Sequence, residues 1–90
     1  MPHVSFTRHL QRFFPTLAEG EVPGATVREV VDELDRRYPG LKCYLVDETG
    51  RLRRHVNVFV GDEPIADRVT LADALAPDAN VFILQALSGG

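Results

Sequence analysis

Residues 26–38, TVREVVDELDRRY, carry the pattern that most restricts how this chain can fold. Val27, Val30, Val31, Leu34 and Tyr38 recur at helical spacing and so fall on one stripe of a helix of about three turns. Thr26 and Glu29 stand three residues apart at its start, the spacing at which a hydroxyl and a carboxylate satisfy orphan amides reciprocally. Pro23-Gly24 precedes the segment and Pro39-Gly40 stops it. Arg28, Asp32, Glu33, Asp35 and Arg36 occupy the opposite, solvated face. A single amphipathic helix cannot bury its stripe alone, so it must lie on a sheet.

The rest of the chain supplies that sheet. Residues 3–10, HVSFTRHL, alternate as a short first strand, and a second is predicted near Leu17 to Val22. The piece from Arg54 to Val60 is rich in β-branched residues and reads as a strong strand. The last strand runs from Val81 to Ala86. Between these, residues 41–54 read as short extended pieces around a tight turn at Asp47-Glu48-Thr49-Gly50. Thr70 to Leu75 reads as one short helical turn, and Gly61 to Pro64 as a turn. One helix with four or five strands is an α+β chain, the mixed sheet curling around the helix in a β-grasp arrangement. Ninety residues make a single domain, residues 1–86, with 87–90 as a flexible tail.

Composition narrows the function classes. A net charge of −3 disfavours nucleic-acid binding, which needs clustered cations. The apolar runs are too short to span a membrane, and the N-terminus lacks the continuous apolar stretch of a secretory signal. With one cysteine there is no internal disulfide, and the expected location is the cytoplasm.

Side-chain chemistry finds no foothold. His3, His9 and His55 lack metal-ligand spacing, so no metal site is expected. Cys43 has no local partner and reads as a small buried hydrophobe rather than a nucleophile. Arg51, Arg53 and Arg54 form the one basic cluster and read as a solubilising loop, diluted by Asp47 and Glu48.

What remains is the end, Leu87-Ser88-Gly89-Gly90. At average glycine usage a terminal Gly-Gly arises by chance in about one chain in 200. Glycine passes a narrow channel and takes dihedrals closed to other residues. Residues 87–90, fully extended, reach about 14 Å. That suits delivery of a terminal carboxylate into another protein's cleft.

The strand-helix-strand order, the stretch Arg54-His55-Val56-Asn57-Val58-Phe59-Val60 before Asp62-Glu63, the long connection 41–53 and the terminal Gly89-Gly90 together resemble the ubiquitin-like sulfur carriers, the MoaD/ThiS family, and within it the CysO-type carriers. The resemblance implies that an ATP-dependent activating enzyme adenylates Gly90 and that sulfur replaces AMP to give a thiocarboxylate. Gly89 then supplies clearance, with Ser88 and Leu87 completing the tether. It implies a carrier that is a co-substrate and no catalyst, with no cofactor of its own. Its partners would be the activating enzyme, a sulfur-accepting biosynthetic enzyme such as a pyridoxal-phosphate enzyme making cysteine or homocysteine, and a metalloprotease that releases product or trims relatives extended past Gly-Gly. This chain stops at Gly90 and reads as ready for activation. By the same likeness Val81 and Ile83 face the helix, while Phe82 and Leu84 line a partner-binding face. The parity of the 56–60 strand stays open. Two other outcomes stay open as well: a protein modifier joined through Gly90 to lysine, and a binding module with an inert tail.

Overall fold

The computed structural model describes residues 1–85. Strand β1 (His3–Phe6) leads into a short helix α1 (Arg8–Gln11), and the chain returns as β2 (Gly20–Glu21). Helix α2 (Val27–Arg37) and helix α3 (Leu41–Leu45) follow, then β3 (Val56–Val60), β4 (Glu63–Pro64) and β5 (Asn80–Gln85). The five strands form one mixed sheet in the order β2-β1-β5-β3-β4. Its centre is the parallel pair β1–β5, flanked by antiparallel β3–β5 and β1–β2 pairs. This is the expected α+β arrangement around one main helix.

Helix α2 forms where the sequence places it. Glu29 N donates to Thr26 Oγ1 at 3.2 Å, and Glu29 Oε1 accepts from the amide of Ala25, one residue ahead of the cap, at 2.8 Å. Val27, Val30, Val31 and Leu34 are buried. They join the inward side chains of the sheet, Val4, Val56, Val58, Val81 and Ile83, in one apolar cluster. Burial of these branched side chains is the main force holding helix to sheet.

The structure corrects four expectations. Residues 8–11 are helical rather than a continuation of β1, and the amide of Thr7 bonds Ile83 O at 3.2 Å as the strand ends. The second strand is confined to two residues of the six proposed. Leu41–Leu45 is a helix, not an extended piece. Gly40, at φ 98°, makes the left-handed corner before it, while Asp35 Oδ1 accepts from the amides of Gly40 and Lys42, each at 3.1 Å. Residues 70–75 form no helical turn: Thr26 and Ala74 make an isolated antiparallel bridge, and Leu71 takes φ 57°. Before it, the Asp67 carboxylate holds a turn by accepting from the amides of Val69, Thr70 and Ala72 and from the Thr70 hydroxyl. The backbone of the segment itself bonds the start of α2: Leu71 O and Asp73 O accept from the amides of Arg28 and Val27, and the amide of Leu75 donates to Ala25 O. The turn at Asp47–Gly50 is present, bridged by Val46 and Leu52 and held by Asp47 Oδ1.

Candidate functional site: the end of β5 and the outer face of the sheet

The site is built on β5, which delivers the chain's last residues. Its register with β3 pairs Val56 with Gln85, Asn57 with Leu84, Val58 with Ile83, Phe59 with Phe82 and Val60 with Val81. Its parallel register with β1 sets Ser5 beside Phe82 and Phe6 beside Ile83. Because side chains alternate, one pairing list fixes both faces. Val81 and Ile83 are fully buried beneath the sheet, as expected, and the parity left open on β3 resolves with Val56 and Val58 inward.

The opposite face carries Phe82, Leu84, Phe59, Asn57 and Ser5. Phe82 is 36% exposed, and Leu84 and Phe59 are half-buried. Of the two proposed partner-binding residues, Phe82 is therefore offered to solvent, while Leu84 is partly covered by its neighbours. Phe59 was not singled out from sequence. Its signal is its odd phase within Val56–Val60, which becomes readable once the strand is paired with β5. Asn57 on the same face is oriented by Arg68, whose Nη1 donates to Asn57 Oδ1 at 3.1 Å. Arg68 Nη2 donates to the carbonyls of Arg53 and Val56, both at 2.8 Å, which clasps the entry to β3.

The tail itself, Leu87, Ser88, Gly89 and Gly90, lies outside the described residues, as does Ala86. What the structure positions is its root. Gln85 N faces Thr7 Oγ1 at 3.5 Å, and β5 is paired with β1 as far as Ile83 and with β3 as far as Gln85. The last residues thus follow a strand that has neighbours on both sides within the sheet.

Side-chain chemistry elsewhere has structural explanations. Hydrogen bonds from Arg36 and Arg37 hold the Glu33 carboxyl below the usual range. The Thr49 hydroxyl, with the Thr49 and Arg51 amides, does the same for Asp47. The Thr70 hydroxyl and amide lead in lowering Asp67. Among the described residues no group of three or more His, Cys, Asp or Glu could hold a metal ion. Cys43 corrects its expectation: it is exposed, because on α3 it falls opposite the buried Leu41 and Leu45. His3 lies 3.7 Å from Glu19, and His9 packs edge-on against Phe13. No helix among the described residues is long and apolar enough to cross a membrane.

Comparison with known proteins adds a family. The ThiS family model matches residues 7–90. Sulfur carrier protein CysO of Mycobacterium tuberculosis is 38% identical over 69 residues, 74% of each chain. The crystal structure of that organism's CysO superposes with a TM-score of 0.82 at 30% identity, covering 97% of this chain and all of the other. A chain of the Amycolatopsis orientalis BexX/CysO complex gives 0.84 at 32% identity over the whole of both chains. SAMP1 from Haloferax volcanii, a small archaeal modifier protein, gives 0.76 at 25% identity over 99% of this chain and 98% of its own.

Proposed function

Because the chain belongs to the ThiS family and is of the sulfur-carrier type, we propose that its Gly90 carboxylate is the cargo-bearing group. The observation that carries this reading is the extent of the family match. It continues through residue 90, so Gly89-Gly90 lies inside the matched region rather than beyond it. A free carboxylate is a poor electrophile. In the activating step a carboxylate oxygen attacks the α-phosphorus of ATP, pyrophosphate leaves, and the acyl carbon now carries AMP. A sulfur nucleophile then forms the C–S bond as the C–O bond to AMP breaks, giving a thiocarboxylate. The thiocarboxylate sulfur attacks an electrophilic carbon on a substrate held by a second enzyme and displaces that carbon's leaving group, which joins the substrate to Gly90 through sulfur. Hydrolysis at the Gly90 carbonyl then returns the carboxylate and releases cysteine, homocysteine or another sulfur metabolite.

The fold's contribution is positional. Phe82, with Phe59 and Leu84, offers an apolar patch on the outer face, two to four residues before the tail begins. An exposed aromatic patch beside a delivery strand suits docking on an enzyme that must admit the tail. The chain supplies no catalyst in this scheme. ATP is bound by the activating partner, and an acceptor enzyme, pyridoxal-phosphate dependent in one form, supplies the electrophile. Deleting Gly90 should abolish ATP-dependent pyrophosphate release with the activating enzyme while leaving the fold unchanged. Unaltered release would overturn the reading.

The likeness to SAMP1 favours one second reading, a modifier whose activated Gly90 meets a lysine amine and forms an isopeptide bond. Gly90 joined to lysines of larger proteins would support it. A carrier recovered unconjugated and bearing sulfur would exclude it.

A further inference from the structure

Asn57 is a polar residue set in the apolar patch on the outer face of the sheet. It pairs directly with Leu84, while Phe59, two residues further along the same face of β3, pairs with Phe82. Ser5 lies beside Phe82 on the other flank of β5. A serine hydroxyl rotates and can donate or accept, whereas the Asn57 amide is held in one orientation.

Arg68 sets that orientation. A guanidinium carries donors only, so the Asn57 atom that meets Arg68 Nη1 at 3.1 Å is the carbonyl oxygen Oδ1 and not the amide nitrogen. Arg68 is fixed in turn by its Nη2 bonds to Arg53 O and Val56 O. Asn57 Nδ2 has no hydrogen-bond partner among the described residues. It is not one of their buried unpaired atoms, which are His9 Nδ1 and Gln85 Oε1, so it reaches solvent. Among the described residues no carboxylate forms an ion pair with Arg68. Its charge therefore stands behind the amide and polarises the N–H bonds on the far side, because hydrogen bonds in a chain strengthen one another.

Resting on the sulfur-carrier reading, we propose that Asn57 is a specificity contact of the outer face. Its Nδ2 donates a hydrogen bond to an oxygen acceptor set in the apolar surface of the adenylating enzyme that receives Gly90. Phe82, Leu84 and Phe59 fit any apolar surface of suitable shape. A preset donor among them selects a surface with an acceptor in register, and it penalises one that would bury the amide unpaired. The enzyme that holds Gly90 is the occupant because of chain length. Gly90 follows Leu84, the direct partner of Asn57, by six residues, at most about 21 Å of extended chain. Asn57 touches no reacting atom and acts by positioning the complex.

Two substitutions separate a docking donor from a mere tether for Arg68. Asn57→Asp keeps an acceptor for Arg68, as a stronger charge-assisted bond, and removes the donor. Asn57→Ala removes both. Pyrophosphate release by the adenylating enzyme of the same organism, with ATP, is followed over a range of carrier concentrations, and urea unfolding is measured in parallel. Both variants should raise the KM for the carrier about tenfold, the worth of one interfacial hydrogen bond, and leave kcat within about twofold. Asn57→Asp should unfold at a urea concentration equal to or above that of the wild type. A KM restored to the wild-type value in Asn57→Asp would overturn the proposal, since the amide would then serve only Arg68. A KM raised by Asn57→Asp alone would overturn it as an effect of added charge, and so would a KM unchanged in both. These outcomes leave sulfur carriage standing. No release from the wild-type chain would overturn that reading and the proposal with it.

Discussion

Phe59 and Phe82 are direct partners across the antiparallel β3–β5 ladder, on the face of the sheet opposite α2, and Phe82 remains 36% exposed. The next residue along β5, Ile83, is fully buried on the other face. Adjacent positions on one strand therefore face opposite ways, Phe82 toward solvent and Ile83 into the core. Phe82→Ala should cost about 1 kcal/mol, the worth of a cross-strand aromatic pair. It should slow activation by the adenylating partner about tenfold or more, as expected for loss of a central aromatic anchor. Ile83→Ala should cost about 2–5 kcal/mol through lost burial and the cavity left behind. Urea unfolding and pyrophosphate-release rates, measured on both variants, check the division. Equal losses of stability would contradict it.

Asp67 organises the loop that the sequence suggested as a helical turn. Its carboxylate accepts from the Thr70 hydroxyl and three amides, which holds its pKa below the ordinary aspartate value of 3.8. A depressed folded-state pKa means that the ionised form stabilises the fold. That stabilisation is fully present above the ordinary value and is lost as pH falls below it. Asp67→Asn should lower the melting temperature at pH 7. The gap to the wild type should close as pH drops below about 4. A gap constant from pH 7 to pH 3 would contradict the assignment.

Gly24 sits where α2 approaches the preceding turn. A Cβ there would lie 2.7 Å from Val30 Cγ2 and 2.9 Å from Val30 N, a helix backbone atom that cannot step aside. Gly24→Ala should destabilise by about 1–3 kcal/mol. Chemical denaturation checks it, and a neutral result would show that the turn moves freely relative to α2.

Much of this fold is written in residue order. The α2 stripe, its Thr26 cap and the alternation on β5 all act through neighbours a few positions away, and the structure follows them. The misread segments depend on other interactions. Leu41, Tyr44 and Leu45 stand at i, i+3 and i+4, a helical signal obscured by the shortness of α3 and by the Pro39-Gly40 corner. The same helical phase turns Cys43 outward. Residues 70–75 fail as a helix because their backbone pairs with Ala25 and the first residues of α2, far away in sequence. The outer face of the sheet was half legible: alternation on β5 set Phe82 and Leu84 on one face and the family likeness set that face outward, but Phe59 needed the β3–β5 register. Arg68, which clasps three groups at the start of β3, had no local signature at all.

The central claim concerns one atom at the end of the chain. Incubating the protein with its activating enzyme, ATP and a sulfur source, then measuring intact mass and fragmenting the product, tests it directly. Sulfur carriage predicts exchange of one oxygen for sulfur, localised to Gly90 and absent without ATP. An unchanged mass after productive adenylation, or Gly90 recovered only in amide linkage to lysine, would contradict it.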